Sequence, residues 1–251
     1  MGIHTGEIVD FDLCVIDTQP ACLGGLKKEF VFGGHLDNLV GTFCAITALI
    51  KATETGLESN KNPAVHMVAA FDNEECGSES AQGARSAWMQ WILRQINADS
   101  LNTTAFEQSI GNSFLLSADE AHAVNPNYVS KYEANHQPRF HKGVVVKINA
   151  NQRYATTAIT SSMLKDLAKM AKVPLQAFVV RNDSTCGTTV GPILAADLGI
   201  ETVDVGTPML CMHSIREVTD TTGLYYAQQL FKVRFRRFRA FYANLWYKET
   251  T

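Results

Sequence analysis

The pattern of hydrophobic and polar positions along the chain predicts short strands that alternate with helices. Leu39, Phe43, Ile46 and Ile50 recur at helical spacing and predict one long helix, whereas short apolar runs between polar turns predict strands. The predicted helices cover 38–54, 83–98, 103–110, 161–170, 190–198 and 222 onward, and the predicted strands cover 8–16, 30–32, 64–71, 114–116, 143–149, 175–180 and 201–205. This order predicts an α/β protein with helices on both faces of a largely parallel sheet.

Composition excludes several classes of protein. The 251 residues are 46% hydrophobic and 19% charged, which suits one large globular domain or two small ones. A net charge of -3 argues against a nucleic-acid partner. Six dispersed cysteines without a CxxC pair indicate reduced thiols. The sequence shows no signal peptide and no apolar run of membrane-spanning length, so we expect a cytoplasmic protein without a membrane partner.

Acidic side chains follow several of the predicted strands. Glu74 and Glu75 come directly after the apolar run 64–71, at the carboxyl end where open α/β sheets bind ligands. Neighbouring residues point in different directions, so one carboxylate can bind a metal while the other holds a water molecule. Asp37, Asp119 and His213 also follow predicted strands. Carboxylate and imidazole ligands suit zinc, and also manganese or cobalt.

Each of these residues also has an ordinary structural explanation. Asp37 precedes a helix and, taken alone, is best explained as its N-cap. Asp119 could likewise cap a following helix. A Glu-Glu pair is more often solvated than catalytic, and a single histidine such as His213 is more often a hydrogen-bonded interior residue. Their joint occurrence at the strand ends favours a metal site.

Six segments of the chain carry a more specific pattern. They are HLDN (35–38), FDNEECGSESAQGA (71–84), LLSADEAHAVNPNY (115–128), KINANQRYAT (147–156), RNDSTCGTTVGPI (181–193) and MHSIRE (212–217). Together they resemble the aspartyl aminopeptidase family of co-catalytic zinc metallopeptidases. The resemblance covers roughly residues 6–231. It implies a three-layer α/β/α zinc-peptidase-like fold with a central mixed, largely parallel sheet, of which 1–251 is a partial catalytic domain.

The resemblance also implies roles for individual residues. Asp37 bridges two metal ions, Asp119 binds the first, and Glu75 and His213 bind the second. Glu74 is the general base for the attacking water. The implied substrate-binding residues are His122, Lys147 and Tyr154. Lys147 is a cation suited to the acidic side chain of a substrate with N-terminal Asp or Glu, and its alternative is an ordinary lysine at a strand edge.

Two parts of the family pattern are not found. No His-x-Asp motif precedes Asp37 in this sequence. The resemblance does not extend to the family's amino-terminal strands or to its inserted dimerisation domain, through which the family forms homo-oligomers, and we expect both to be absent. The first metal therefore keeps only Asp37 and Asp119, fewer than the three protein ligands of a usual catalytic site. We predict a one-metal or low-occupancy site and low or no peptidase activity for this chain alone.

The last segment, 232–251, interleaves cations with aromatic residues. It suggests either an RNA- or membrane-binding element or a terminal helix whose Phe235, Phe238, Tyr242 and Leu245 pack inward, and we favour the helix. Three functions remain open at this point. They are an aminopeptidase for N-terminal acidic residues, a catalytically inactive metal-binding fragment, and a zinc aminopeptidase of other specificity.

Overall fold

The computed structural model describes residues 2–54 and 64–246. The helices are α1 (Leu36–Glu54), α2 (Trp88–Ile96), α3 (Ala105–Gly111), α4 (Ala158–Ala171), α5 (Val190–Leu198) and α6 (Thr221–Trp246). The strands are β1 (Cys22–Gly24), β2 (Phe30–Gly33), β3 (Phe114–His122), β4 (Val144–Ile148), β5 (Leu175–Val179), β6 (Glu201–Leu210) and β7 (Glu217–Asp220). The six predicted helices are thus present, with boundaries shifted by a few residues.

The strands form one mixed sheet in the order β1-β2-β7-β6-β4-β5, and β3 pairs with β6 outside this path. The β3–β6 pairing is parallel and is the longest ladder, from Phe114 opposite Glu201 to His122 opposite Met209. The β4–β5 pairing is also parallel, whereas the shorter β1–β2, β2–β7, β4–β6 and β6–β7 pairings are antiparallel. The mixed α/β sheet predicted from the sequence is confirmed.

Side-chain alternation along β6 shows that helices cover both faces of this sheet. Val203 and Val205 belong to the main core, which they share with residues of α1, α4 and α6. Asp204, which lies between them, points to the opposite face, where it accepts a hydrogen bond from Thr189, the N-cap of α5. The arrangement is therefore a three-layer α/β/α fold, as expected.

Two predicted strands are wrong. Residues 8–16 lie outside the described sheet and are solvent-exposed, with Val9 98% exposed. Residues 64–71 also form no strand, and Val65 is 67% exposed. Their apolar composition is that of a strand, but a strand needs a hydrogen-bonded neighbour, and none of the seven described strands pairs with them. The polar turn predicted at 59–63 lies outside the described residues.

β3 and β6 are longer than the sequence predicted. The predicted end of the strand 201–205 is wrong, because Pro208 continues β6 in register with Ala121. Pro208 has no N–H to donate to the ladder, and its carbonyl accepts a hydrogen bond from the Thr219 hydroxyl. β1 and β7 were not predicted, because their three and four residues are too few to show a clear alternation. The segment 18–27, which contains β1, was predicted as a loop from its Pro20, Gly24 and Gly25.

α1 and α6 pack against each other across the main core, through residues such as Cys44 and Leu230. Among the described helices, α1 alone has the length and hydropathy of a membrane span, but Cys44 and Ala48 are fully buried inside the fold, as in the core helix of a globular protein. The predicted terminal helix is present as α6, with Phe235 buried. The other predicted inward side chains of the tail, and residues 247–251, lie outside what the structure describes.

Candidate metal centre

Three candidate ligands from distant parts of the chain meet at one edge of the sheet. The Nε2 atom of His213 lies 3.2 Å from Oδ2 of Asp37 and 3.1 Å from Oε2 of Glu75. One ligand atom from each residue lies within 4.8 Å of the other two. In the ranges 2–54 and 64–246 this is the single group of three or more such residues close enough to share an ion.

The segment that carries Asp37 is tied to β3. The peptide bond between Asp37 and Asn38 is cis. The Asn38 amide donates to the carbonyl of Ala118, at 2.7 Å, and its oxygen accepts from the Gly41 backbone N–H, at 3.1 Å. The capping hydrogen bond of α1 is therefore made by Asn38, so the N-cap interpretation of Asp37 is wrong. The Asp37 side chain does not cap α1, and it faces His213 and Asp119 instead.

Glu74 and Glu75 lie in consecutive tight turns. The Ser78 backbone N–H donates to the carbonyl of Asn73, at 2.8 Å, and the Gly77 backbone N–H donates to the carbonyl of Glu74, at 3.0 Å. Gly77 has φ +103°, a conformation that favours glycine. These turns direct the Glu75 carboxylate to His213. Glu74 is half-buried, and burial, followed by the negative charges of Asp119 and Glu75, raises its pKa to about 7.

Asp119 is held by a buried lysine. The Lys147 ammonium donates to Oδ2 of Asp119 at 2.8 Å. Burial alone would raise the pKa of Asp119, but the charge of Lys147 and the hydrogen bonds with Asp37 and Lys147 outweigh burial and lower that pKa. β4, which carries Lys147, lies between β6 and β5, so the strand-edge alternative for this lysine is wrong. β3 continues to His122, so Asp119 does not cap a helix.

The predicted substrate-binding residues lie around this ion pair. The Lys147 Nζ atom is 5.4 Å from the centre of the Tyr154 ring, which is buried. His122 ends β3, and its ring centre lies 6.3 Å from that of Phe178. Burial, followed by the charges of Lys147 and His213, lowers the pKa of His122. The structure thus brings these side chains close to the centre, and their contact with substrate remains a prediction.

The donor set fits a divalent metal ion. One imidazole and two carboxylates make three protein ligands, the number that leaves a catalytic zinc with an open position. The same donors accept manganese or cobalt. Oδ1 of Asp37 is buried and has no hydrogen-bond partner among the described residues, which suits an atom reserved for a cation. Burial, followed by the charge of Asp119, raises the pKa of Asp37 to about 9, so without a cation this carboxyl binds a proton.

We therefore expect the zinc affinity of this centre to rise with pH. A ligand must be deprotonated, and the raised pKa of Asp37 places its deprotonation above neutral pH. Affinity should increase by up to about tenfold per pH unit between pH 6 and 8, with about one proton released per zinc. Competition titrations at three pH values measure the zinc affinity. Calorimetry in buffers of different ionisation enthalpy measures the number of protons released. A pH-independent affinity would show that Asp37 does not compete for a proton.

Glu120 is a functional-site neighbour that the sequence analysis missed. It follows Asp119 on β3, so its side chain points to the opposite face, where it is fully buried. The Thr207 hydroxyl donates to it at 2.6 Å. Burial raises the pKa of Glu120 well above its ordinary value. The alternation of side chains along β3 could have identified Glu120. Successive side chains point to opposite faces of a sheet, so the residue after Asp119, which faces the site, must face the core.

Replacing Glu120 with glutamine is expected to stabilise the protein at pH 8 and to leave stability unchanged near pH 4. A carboxyl whose pKa is raised by folding destabilises the folded state as pH rises above its unfolded pKa, whereas an amide still accepts from Thr207 and does not ionise. Each unit by which folding raises the pKa of Glu120 contributes about 1.4 kcal/mol to the gain at pH 8. Urea unfolding at both pH values measures it. Glu201→Gln, an exposed control, should change nothing.

Comparison with known proteins identifies the class to which this fold and site belong. Residues 1–235 match the family model of the aminopeptidase I zinc metalloproteases, the M18 peptidases. Because this match covers most of the chain, the protein belongs to the M18 family.

Comparison with individual proteins is consistent with this family. The chain is 51% identical over 244 residues to an aspartyl aminopeptidase of Caenorhabditis elegans, covering 97% of this chain and 52% of that protein. A cryo-EM structure of an Ape4 and Nbr1 complex superimposes with a TM-score of 0.93 at 46% identity, over 97% of this chain and 46% of the other. The mApe1 dodecamer of Saccharomyces cerevisiae gives a TM-score of 0.79 at 28% identity, over 92% and 51%. The chain spans about half the length of the relatives it matches.

Proposed function

We propose that this chain provides the metal-binding and water-activating part of an aminopeptidase that removes N-terminal Asp or Glu from peptides. One observation carries the proposal. Glu74, a half-buried carboxyl with a pKa of about 7, directly precedes Glu75 in the cluster with Asp37 and His213. A base near neutral pH beside a three-ligand metal centre is what hydrolysis of a peptide bond requires.

In this proposal Glu74 takes a proton from the attacking water and returns it to the leaving amine. When bound, a divalent ion polarises the scissile carbonyl. Lys147 attracts the acidic side chain of the substrate by its charge, with Tyr154 and His122 beside it. Lys147 is also bonded to Asp119, so a substrate carboxylate must share this ammonium. A zinc aminopeptidase of other specificity is the second candidate, and this shared contact is the observation that favours it.

We further propose that the chain binds one zinc tightly. Asp37, Glu75 and His213 form a complete set of three ligands. The Asp119 carboxylate is not part of this set and is engaged by Lys147 and by a hydrogen bond with Asp37. Manganese or cobalt are expected substitutes. Assembly into homo-oligomers is proposed by analogy with the mApe1 dodecamer. The six free cysteines support a cytoplasmic location.

A chimera tests this function independently of the parts of the relatives that the chain does not match. The matching half of the Caenorhabditis elegans aspartyl aminopeptidase is replaced by this chain, and cleavage of Asp-, Leu- and Ala-linked substrates is compared. The proposal predicts chelator-sensitive cleavage with preference for Asp. Cleavage with preference for Leu or Ala would support the second candidate. Zinc binding without cleavage of any substrate would identify the chain as an inactive metal-binding remnant.

A further inference from the structure

Glu217 connects two of the three candidate ligands. It is the first residue of β7 and its side chain is 3% exposed. Its Oε2 atom accepts a hydrogen bond from the backbone N–H of Asp37, at 3.0 Å. Its Oε1 atom accepts from the backbone N–H of His213, at 2.7 Å. One carboxylate thus holds the backbones of two ligands that are far apart in sequence.

The order of the sheet explains how one residue reaches both ligands. β7 lies between β2 and β6. The chain leaves β2 towards Asp37 and leaves β6 towards His213, and Glu217 stands in register with Gly33, the last residue of β2. The first residue of β7 therefore faces both departing segments. Arg216, which precedes it, points away and donates to Asp17.

Regular secondary structure does not hold these two ligands in place. His213 has φ +63°, in the left-handed region that is uncommon for residues other than glycine. Asp37 has a non-helical backbone at the start of α1. A carboxylate that accepts one backbone N–H on each oxygen fixes the separation of those amides, because its two oxygens have a fixed spacing. Hydrogen bonds to a charged acceptor are also stronger than neutral ones.

We infer that Glu217 is a positioning residue, whose carboxylate sets the separation of Asp37 and His213 and thereby the metal affinity of the centre. This inference rests on the proposed function, since it assumes that both residues bind the ion. The alternative is a purely structural role, in which a buried carboxylate merely satisfies two loop amides. The two roles predict different results, because only the positioning role requires that metal affinity change independently of stability.

The experiment compares Glu217→Gln with Thr219→Val in the intact chain. Glutamine keeps the size of the side chain but puts an NH₂ group against one of the two amides, so one ligand loses its support. Thr219 is two residues away on the same strand, and its hydroxyl donates to the carbonyl of Pro208 rather than to a ligand segment. Thr219→Val therefore destabilises β7 and leaves the centre intact.

Zinc affinity, the absorption spectrum of the cobalt-loaded protein and the melting temperature of the metal-free protein are measured for each variant. The Glu217→Gln variant should bind zinc about 10–100-fold more weakly, which is the usual effect of losing a residue that supports a metal ligand. Its cobalt spectrum should also differ from that of the unmodified protein. Thr219→Val should lower the melting temperature and keep zinc affinity within about twofold of the unmodified protein. If Glu217→Gln does not fold, Glu217→Asp, whose shorter side chain cannot reach both amides, replaces it.

Wild-type zinc affinity in the glutamine variant would overturn the inference and leave the proposed function intact. Equal weakening by Thr219→Val would also overturn it, in favour of the structural role. Failure of the unmodified chain to bind zinc or cobalt would overturn the proposed function and the inference with it.

Discussion

Replacing Glu74 with glutamine is expected to lower the rate of peptide cleavage by the chimera about 10³-fold and to leave its metal content unchanged. Glutamine has the shape of glutamate but cannot accept the proton of the attacking water, and general base catalysis contributes about 10²–10⁴-fold. Glu74 is not one of the three clustered ligands, so zinc should still bind. Single-turnover cleavage of an Asp-linked substrate, with zinc content measured on the same samples, tests both parts.

The matched control for this change is Glu79→Gln. Glu79 lies in the same turn region, but its side chain is exposed and pairs at the surface with Arg85, so its replacement should leave the rate within about twofold. A Glu74→Gln chimera that cleaves at the unmodified rate would remove Glu74 from the mechanism. Loss of zinc along with activity would instead show that Glu74 is a ligand.

The second large effect is expected from His213→Ala, which should weaken zinc binding of the chain more than about 100-fold. Loss of a residue that hydrogen-bonds to a ligand weakens metal binding by up to about 100-fold, and loss of a ligand itself should weaken it further. The variant removes the one imidazole of the cluster and leaves two carboxylates, fewer than the three protein ligands of a catalytic zinc site. Because the side chain of His213 is 62% exposed, the fold itself should be little affected. Zinc titration and thermal unfolding in chelator separate the two properties.

His136→Ala serves as the control for the loss of a histidine. His136 pairs with Glu133 in the loop that precedes β4 and takes no part in the cluster. Its replacement should leave zinc affinity unchanged. Unchanged affinity in His213→Ala as well would place the metal elsewhere, and the account of the centre would then be wrong.

Much of this architecture could be predicted from the sequence. The helical spacing of Leu39, Phe43, Ile46 and Ile50 predicts α1, and short β-branched runs predict β4 and β5. Asp37 and His213 follow β2 and β6, as predicted, and carboxyl ends of strands that run in the same direction lie at one edge of a sheet. Glu75 was placed at this edge by the predicted strand 64–71, which is not present.

What the sequence could not show depends on contacts between distant segments. Residues 64–71 have the composition of a strand but no partner strand among the described residues, and composition does not show whether a partner exists. The double role of Glu217 arises from the position of β7 between β2 and β6, which only the assembled sheet defines. The capping hydrogen bond, which was the alternative role for Asp37, is made by Asn38, and local preference cannot distinguish these neighbours.

The most direct test of this account is the number of zinc ions bound per chain, measured by titration and elemental analysis of the unmodified protein. We expect one tightly bound zinc, held by Asp37, Glu75 and His213. Two zinc ions of similar affinity would contradict the one-metal centre, because Asp119 would then bind zinc despite its bond to Lys147. No bound zinc would contradict the metal centre itself.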